Sequence, residues 1–478
     1  MPRAREPSRP ELLKAERGEV RSAFGRLGVA LVFPNTYFVG MSNLAVHALY
    51  RRINAHPEFW CDRAFAGPDG AVVALETGRP LGDFDVVALS VSYELDELNA
   101  VELLRRAGLP LRADARGERG PLVVCGGVAA TLNPEPLAPF VDLFLLGEVE
   151  ETLPALLDAV AAARDRDALL DAAGQVAGCY VPSRDEAPPP PARVQDLDAH
   201  PTASAIVTPH TEFADRFLVE ISRGCTRGCR FCATRGLYGP ARMRSVEAIL
   251  ESVRAGMKLT DRIGLVGATI VDHPDADRLY DELLRTGAKV SVSSFQAGGV
   301  SEALLRCLAA GGQRTVTIAP EAGSEGLRRA LGKGLTDEEV VRCAEMSRRH
   351  GLRFVKLYFM VGVPGESEGD VAAIVELVKR VARVLPTKVA LGPFVPKRTT
   401  PLADAAVAAK GELQRSLRGL KRALRRLGNV TVTAGSVGEA QVETLLSHGG
   451  REVAEVLEQG REALRAEATR FCRRRSAR

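Results

Sequence analysis

Three cysteines stand close together in the stretch from Val219 to Pro240, VEISRGCTRGCRFCATRGLYGP. Cys225, Cys229 and Cys232 have the spacing C-x₃-C-x₂-C, and they are three of the nine cysteines in a chain of 478 residues. Thiolates bind soft metals, and in iron–sulfur clusters they bind the iron directly. The spacing therefore predicts a metal or cluster site to which a single loop supplies three ligands.

Other uses of three close thiols fit this stretch less well. A structural zinc site normally closes with four ligands, and the next histidine after the cysteines is His273. Packing is the ordinary role of a single cysteine, and we expect it for the six that are scattered. These are Cys61, Cys125, Cys179, Cys307, Cys343 and Cys472. A four-iron cluster with three thiolates leaves one iron open, and an open metal position indicates chemistry, as it does in zinc enzymes.

The residues around the cysteines favour a cluster. Gly224 and Gly228 would let backbone amides approach the sulfides, and four arginines would offset the negative charge of a cluster. These arginines are Arg223, Arg227, Arg230 and Arg235.

Composition limits the function classes. The chain is 46% hydrophobic and 26% charged with a net charge of +4, which is typical of a soluble globular protein and not of a chain-wide nucleic-acid binder. The start, MPRAREPSRPELLKAERGEV, is charged and lacks the apolar segment of a secretory signal. We expect a cytoplasmic protein without a membrane span. Its thiols would be reduced, which excludes a disulfide framework.

The cysteines follow the first strand of a predicted β/α series over residues 214–396. That strand is Leu218–Ile221, and helical patterns separate it from five later ones. The later strands are Ile263–Val266, Lys289–Ser293, Thr315–Ile318, Phe354–Met360 and Val389–Phe394. Six β/α steps predict a partial barrel, and the active sites of such barrels lie at the carboxyl ends of the strands.

An earlier α/β domain is predicted over residues 26–165. Its apolar strands alternate with helices, which indicates a doubly wound, Rossmann-like parallel sheet. The strands are Val29–Phe33, Val86–Val91, Leu122–Cys125 and Leu143–Leu146. Residues 166–213 are proline-rich and read as a linker. Residues 397–478 read as a basic helical region, in which leucines at helical spacing indicate packing on the barrel.

The segment SRGCTRGCRFC resembles the C-x₃-C-x-aromatic-C signature of the radical S-adenosylmethionine (radical SAM) superfamily, with Phe231 as its aromatic residue. The resemblance implies that Cys225, Cys229 and Cys232 hold a 4Fe-4S cluster whose open iron chelates SAM. One electron, from an external reductant of the flavodoxin or ferredoxin type, would then cleave SAM. The 5′-deoxyadenosyl radical so formed would abstract hydrogen from the substrate.

The same resemblance implies contacts with SAM at the ends of the second and third strands. In GLVGATIVDHPD, Gly267 stands where the superfamily often has a Gly-Gly-Glu-like turn that contacts the SAM amino group. Gly267-Ala268-Thr269 departs from that pattern, so this contact would be made mainly by backbone. Ser294 ends the third strand and would face the ribose or the amino acid part of SAM.

Further contacts are implied at the fourth and fifth strands. TIAPEAGSEGLRRALGKG is similar to a segment in which a glutamate contacts bound SAM, and this indicates Glu321 and Ser324, with Arg328 reaching the SAM carboxylate. A helix-start role for Glu321 and a surface role for Arg328 stay open. The turn 362–365 resembles one that approaches the adenine, and Lys356 is either a ligand or half of a surface salt bridge.

The N-terminal domain resembles the cobalamin-binding domain found upstream of many radical SAM domains. The best matches are Gly126-Gly127 and Gly147-Glu148, and the loops 35–42, 90–94, 126–131 and 147–150 would cradle the corrin. The chain has no Asp-x-His-x-x-Gly motif for an axial histidine, and His47 falls in a predicted helix, where packing is its expected role. A vestigial domain that only shapes the substrate cleft is the alternative.

These observations predict a radical SAM enzyme that uses cobalamin to transfer a methyl group to an unactivated carbon. One alternative is a cobalamin-free radical SAM enzyme that modifies tRNA or a peptide. Another is an iron–sulfur protein that only binds or transfers electrons. No motif identifies the substrate. The 17 Lys and Arg against 9 Asp and Glu from residue 396 onward only permit an acidic one.

Overall fold

The computed structural model describes residues 6–18, 25–67, 72–118, 120–268 and 270–476. The chain divides into two compact units. The first comprises Met1–Leu218 with Leu446–Leu464, and the second comprises Val219–Leu445 with Arg465–Arg478. Within the described ranges, no helix is both long and apolar enough to cross a membrane.

The first unit is built on a six-stranded sheet. Its strands are β1 (Leu27–Phe33), β2 (Phe59–Phe65), β3 (Val86–Ser90), β4 (Leu122–Gly126), β5 (Leu143–Leu145) and β6 (Cys179–Tyr180). They lie in the order β2-β1-β3-β4-β5-β6, parallel except for β6. The order 2-1-3-4-5 is that of flavodoxin-like doubly wound sheets, which bind ligands where the order reverses, between β1 and β3. The Rossmann-like prediction is confirmed.

Helices flank this sheet. They are Arg9–Ala15, Tyr37–Gly40, Leu44–Ala55, Asp96–Arg106, Val128–Leu132, Thr152–Ala162, Arg166–Ala173 and Val453–Gln459, with 3₁₀ turns at Leu81–Asp83, Ala113–Ala115 and Ala138–Phe140. The predicted linker therefore contains one helix, Arg166–Ala173, and two short strands, Cys179–Tyr180 and Ile206–Val207, of the first unit. A two-residue ribbon, Arg17–Gly18 with Ile206–Val207, also belongs to this unit.

Strand β2 was not predicted. All seven of its residues are buried although two of them, Asp62 and Arg63, are charged. The Asp62 carboxylate accepts a hydrogen bond from Thr77 Oγ1 at 2.5 Å. The Arg63 guanidinium forms ion pairs with Glu16 and Glu76 at 2.7 and 2.6 Å. These partners make the burial tolerable, because buried charges need pairing, and they lie too far away in sequence for a local pattern to reveal them.

The second unit contains the predicted partial barrel. Its strands are β7 (Phe217–Glu220), β8 (Arg262–Val266), β9 (Lys289–Val292), β10 (Thr315–Glu321), β11 (Phe354–Val361), β12 (Thr387–Pro393) and β13 (Val430–Ala434). One sheet has the order β9-β8-β7 and the other the order β10-β11-β12-β13. The backbone N–H of Phe295, just after β9, donates to Thr317 O at 3.2 Å and joins the two sheets.

The helices of the second unit alternate with its strands. They are Thr234–Tyr238, Val246–Met257, Ala276–Thr286, Glu302–Ala310, Glu325–Ala330, Asp337–Arg349, Glu368–Ala382 and Lys410–Arg425. Two later helices, Val437–His448 and Arg461–Ser476, are divided between the two units. Short 3₁₀ turns lie at Ile270–Asp272 and Ala297–Gly299. The ribbon Ser222–Arg223 with Arg242–Met243 flanks the cysteines.

The region 397–478 is mainly helical, as predicted, but it also contains one strand that was not predicted, β13. This strand, VTVTA, buries only Val430 and leaves the rest at least partly exposed, so it carries little apolar signal. The helix Lys410–Arg425 was predicted correctly. Its leucines at positions 413, 417, 420 and 424 are buried, and it contacts β13 and β11.

Candidate active site

The cysteine loop begins at a glycine whose conformation is required. Gly224 has φ +73°, in the left-handed region that favours glycine. A Cβ at this position would lie 2.3 Å from Pro240 O. The close approach of these two backbone segments, across the ribbon Ser222–Arg223 with Arg242–Met243, holds the start of the loop at the end of β7.

The three thiols of this loop differ from the other cysteines of the chain. Cys225, Cys229 and Cys232 are partly exposed, whereas all six others are buried. Burial raises the pKa of Cys229, the ammonium of Lys333 opposes this rise, and the charges of Cys232 and Cys225 add to it. The three thiols therefore lie within electrostatic reach of one another and are partly accessible to solvent.

This donor set fits a cluster better than a single ion. Across the described ranges, no group of three His, Cys, Asp or Glu side chains is arranged to hold one metal ion. In a four-iron cube each thiolate binds a separate iron, so the ligands stand further apart than they do around one ion. His273, considered above as a zinc ligand, is buried with its ring bonded to Arg244 O at 2.8 Å.

One carboxylate anchors the cysteine loop from the side of β8. Asp272, in the turn Ile270–Asp272, accepts a hydrogen bond from Thr226 Oγ1 at 2.5 Å. It also accepts one from Arg227 Nη2 at 2.9 Å. These two hydrogen bonds fix Thr226 and Arg227, which stand between Cys225 and Cys229. No local pattern predicts this role, since Asp272 lies 45 residues from Arg227.

The segment after the helix Glu325–Ala330 packs on the other side of the loop. Arg230 N donates to Leu331 O at 2.9 Å, and Arg230 Nη1 donates to Ala330 O at 3.3 Å. Gly332 has φ +73°, and a Cβ there would lie 2.5 Å from Gly228 O. This close packing brings the chain that carries Lys333 to the cysteines.

Glu321 lies beside the cysteines in a strained conformation. Its φ is +72°, in the left-handed region, at the end of β10 where the pairing with β11 shifts register. Such a conformation costs about 1–3 kcal/mol and is found most often at functional sites. The Glu321 carboxylate accepts a hydrogen bond from Lys333 Nζ at 3.4 Å, and its charge also acts on the Cys229 thiol.

The pair Glu321–Lys333 is largely buried. The side chain of Glu321 is 17% exposed and that of Lys333 is 10% exposed. Burial raises the pKa of the Glu321 carboxyl, and Lys333 partly opposes this rise. The structure thus places the predicted Glu321 at the cysteines. It adds Lys333, which the sequence indicated only as part of the quoted segment.

Phe231, the aromatic residue of the cysteine motif, packs on an apolar cluster and is partly buried. The buried members of this cluster are Ala322, Leu327, Leu331, Val363, Phe394 and Leu402. The contact fixes the loop between two of its ligands. A direct contact between Phe231 and a cofactor stays a prediction.

The predicted contact of Arg328 with SAM is wrong, because the side chain is fully buried in the protein. Arg328 Nε donates to Leu335 O at 2.6 Å, Nη1 donates to Gly323 O at 2.9 Å, and Nη2 pairs with Asp337. A surface role is excluded as well. Arg328 instead holds together the loops on both sides of the helix Glu325–Ala330.

Ser324 also has a structural role. Its hydroxyl caps the helix Glu325–Ala330 by accepting a hydrogen bond from Leu327 N at 3.1 Å. The same hydroxyl bonds to Asp370. Both bonds are internal to the protein, which argues against the predicted contact of this side chain with SAM.

Gly267 and Ser294 stand at strand ends, as predicted. Gly267 follows β8, and a Cβ there would lie 2.5 Å from Ser222 Oγ, so a larger residue would require that side chain to move. Ser294 follows β9 and is exposed. Thr269 lies outside the described residues. The contacts of Gly267 and Ser294 with SAM stay predictions.

In the first unit, exposed apolar side chains mark the point where the strand order reverses. Phe38, after β1, is 47% exposed, and Tyr93 and Leu95, after β3, are 56% and 36% exposed. We call these three side chains the switch-point patch. Exposed apolar patches mark binding sites, and doubly wound sheets bind ligands at this edge.

The predicted glycines of the first unit serve close backbone packing. Gly127 has φ +108°, and a Cβ there would lie 2.4 Å from Val91 O. A Cβ on Gly126 would lie 3.0 Å from Leu145 O. These contacts bring the ends of β4 and β5 close to the loop after β3. Contacts of Gly126 and Gly127 with a cofactor stay predictions.

The predicted cofactor contact of Glu148 is wrong, because its side chain is buried and turned to the chain after residue 190. Glu148 Oε2 accepts a hydrogen bond from Val194 N at 2.9 Å. A Cβ on Gly147 would lie 2.3 Å from Ala192 O. Gly147 and Glu148 therefore hold residues 192–194 against the end of β5.

His47 is a packed residue, as the helical pattern predicted. It is buried in the helix Leu44–Ala55, its Nε2 donates to Met41 O at 3.0 Å, and its Nδ1 accepts from Ala205 N at 3.3 Å. Burial lowers the pKa of His47 to about 4. With both ring nitrogens occupied, His47 is not an axial ligand.

Comparison with known proteins agrees with this arrangement. Residues 219–378 match the model of the radical SAM superfamily, and residues 45–182 match the model of the N-terminal domain of radical SAM proteins. The chain belongs to the radical SAM superfamily. It is therefore an enzyme of a family that uses a 4Fe-4S cluster and SAM.

Individual relatives resemble large parts of this radical SAM enzyme. An uncharacterised protein of Methanocaldococcus jannaschii is 29% identical over 378 residues, 78% of each chain. An uncharacterised methyltransferase of Pyrococcus horikoshii is 27% identical over 274 residues, 54% of this chain and 58% of the relative. The radical SAM methyltransferase TsrM from Kitasatospora setae, solved with cobalamin and a 4Fe-4S cluster, superimposes with a TM-score of 0.60 at 15% identity, over 94% of this chain and 100% of that one. The TsrM likeness shows a shared fold.

The radical SAM barrel carries a second unusual carboxylate, in the turn predicted to approach the adenine. Glu366, the residue directly after this turn, accepts a hydrogen bond at Oε2 from Gly362 N at 2.6 Å, while its Oε1 is buried and has no hydrogen-bond partner among the described residues. Burial raises the pKa of Glu366 to about 7. The turn 362–365 is therefore held by a group that can exist in either protonation state at neutral pH.

Proposed function

We propose that this radical SAM enzyme is a cobalamin-dependent methyltransferase in which Cys225, Cys229 and Cys232 hold the 4Fe-4S cluster. The observation that carries the proposal is the meeting of three partly exposed thiols with Glu321 and Lys333 at the strand ends. It unites a cluster-binding donor set with a carboxylate and an ammonium that can bind a charged ligand. When bound, the cluster would supply the electron that cleaves SAM.

The residues around the thiols favour the binding of charged groups at this site. Burial raises the pKa of Cys229, and the charge of Lys333 opposes this rise, so Lys333 favours the thiolate form that a metal requires. Asp272 and the segment 330–332 fix the loop from two sides. Glu321 is held ready for the positively charged amino group of SAM, because charge-assisted hydrogen bonds are about twice as strong as neutral ones.

The first unit supports cobalamin as the second cofactor. Its strand order predicts a ligand between β1 and β3, and the switch-point patch of Phe38, Tyr93 and Leu95 gives that edge an apolar surface for a flat macrocycle. The fold shared with TsrM and the relative from Pyrococcus horikoshii favour methyl transfer. Cobalamin would carry the methyl group from SAM to the substrate carbon. Histidine is absent from the four strand-end loops, so we expect the base-off form without a histidine ligand.

An external one-electron reductant of the flavodoxin or ferredoxin type would serve the cluster. Free thiols have to stay reduced to bind iron, and we therefore propose the cytoplasm as the compartment. The substrate carbon is unactivated in this proposal, since an activated carbon would not require radical chemistry.

The cobalamin site is tested by replacing its apolar surface. We expect the double variant Phe38→Ser, Tyr93→Ser to bind hydroxocobalamin at least about tenfold more weakly, because two large apolar side chains contribute about 1.5–3 kcal/mol each when they are buried. Iron content should be unchanged, since the cysteines lie in the other unit. Optical titration of the cluster-loaded protein measures both quantities.

Val73→Ser is the matched control, because Val73 is also apolar and 36% exposed in the first unit but lies outside the strand-end loops. It should bind cobalamin as the wild type does. Equal affinity in the double variant and the wild type would remove the switch-point patch from the cofactor site.

A further inference from the structure

One face of the sheet β10–β13 is open, although the other is covered. Along β10, β11 and β12 buried residues alternate with partly exposed ones. The helices Asp337–Arg349 and Glu368–Ala382 contact these strands on the buried face. The open face is therefore the inner face of the partial barrel, where a substrate would lie below the cysteines.

A row of polar side chains crosses this open face. Thr317 on β10 pairs in register with Lys356 on β11, Lys356 with Lys388 on β12, and Lys388 with Thr431 on β13. Two lysines thus stand directly opposite each other on neighbouring strands. Like charges in this position destabilise a sheet, so the fold carries an electrostatic cost that a bound anion would offset.

Neither lysine has an acidic partner in the part of the chain that the structure describes. The lysines that form ion pairs there are Lys289, Lys333, Lys379 and Lys397. Lys356 Nζ instead lies 4.7 Å from the centre of the Tyr358 ring, and Lys388 Nζ lies 4.9 Å from the centre of the Phe354 ring. Aromatic rings hold the two ammonium groups without neutralising them.

The two ammonium groups lean towards opposite ends of the barrel. Tyr358 stands two residues nearer the carboxyl end of β11 than Lys356, and the neighbouring Phe359 pairs with Glu321. Lys356 therefore leans towards the end where Glu321 and the cysteines lie. Lys388 leans towards Phe354, at the start of β11, and away from that end.

We propose that Lys356 binds an oxyanion, a carboxylate or a phosphate, of an organic acid that is the substrate. Tyr358 would contact the apolar body of this acid, since its ring is 38% exposed on the same face. The inference rests on the proposed function, because only a substrate of the barrel has to lie between this row and the cysteines. It gives the substrate a negative charge, which the chain-wide charge does not.

The test uses cluster-loaded full-length protein and three probes: benzoate, phenyl phosphate and uncharged benzamide. We expect ligand-detected NMR titration to show binding of at least one of the two acids. Lys356→Met should weaken that binding at least about tenfold, because a hydrogen bond to a charged group contributes about 1.5–3 kcal/mol. Uncharged benzamide should show no difference in binding between the wild type and Lys356→Met. The acid that binds more tightly identifies the oxyanion as a carboxylate or a phosphate.

Two further variants complete the test. Lys356→Arg should recover most of the affinity, since it keeps the charge, and Lys379→Met on the outer helix should behave as the wild type does. Failure of both acids to bind the wild type, or equal binding to Lys356→Met, would overturn the proposal. Iron, cobalamin and SAM cleavage are measured on the same preparations. If iron, cobalamin or SAM cleavage is lost while acid binding stays intact, that result counts against the proposed function and not against the Lys356 site.

Discussion

Replacing Cys225, Cys229 and Cys232 together by alanine is expected to abolish both cluster binding and SAM cleavage. The loop supplies all the thiolates near this strand end, and the six other cysteines are buried. No ligand set would remain, so reconstituted protein should contain only background iron where the wild type holds about four irons per chain. Iron analysis, the visible absorbance of the cluster and chromatography of SAM products measure the loss.

Cys307→Ala and Cys343→Ala are the matched controls, since both remove a thiol that is buried in the same unit. They should lower thermal stability and leave iron content unchanged, because burial raises the pKa of both thiols to about 12 and keeps them protonated. A triple cysteine variant that still holds four irons per chain would contradict the assignment of the ligands.

Glu321→Gln is expected to weaken SAM binding by about 10- to 100-fold while iron content stays intact. The carboxylate would bind the SAM amino group through a charge-assisted hydrogen bond, and such a bond contributes about 1.5–3 kcal/mol. The amide keeps the shape of the side chain and removes its charge. Equilibrium binding of SAM to the cluster-loaded variant measures the effect.

Two variants separate the role of Glu321 in SAM binding from its ion pair with Lys333. Lys333→Met removes the partner of Glu321 and should also weaken cluster retention, because the Lys333 charge favours the Cys229 thiolate. Glu338→Gln, on the exposed helix surface, should change neither property. Unchanged SAM affinity in Glu321→Gln would leave Glu321 with a structural role only.

Strands and helices that bury an apolar face could be predicted from sequence. The barrel strands β8 to β12 and the helices between them stand where the alternation places them, because one face of each element packs on the other layer. Strand β2 escaped prediction because its Asp62 and Arg63 are paired with residues from elsewhere in the chain. Strand β13 escaped because it buries almost nothing.

The residues of the candidate site also fall into two groups: those that a local sequence pattern predicts and those that only tertiary packing brings together. The three cysteines are a local pattern, and Glu321 belongs to a local motif, so both could be found in the sequence. Arg328 and Glu148 stood in equally suggestive segments, yet the fold turns both side chains inward to bind the backbone of neighbouring loops. Asp272 and Lys333 reach the cysteines only through tertiary packing, which no local spacing encodes.

Product analysis tests the central claim, cobalamin-dependent methyl transfer from SAM, most directly. The protein is reconstituted anaerobically with iron, sulfide and hydroxocobalamin, and is then incubated with SAM and a one-electron reductant. We expect S-adenosylhomocysteine only when cobalamin is present, and 5′-deoxyadenosine whenever the cluster is present. 5′-Deoxyadenosine without any cobalamin-dependent S-adenosylhomocysteine would contradict methyl transfer, and a cobalamin-free radical SAM enzyme acting on tRNA or a peptide would take its place.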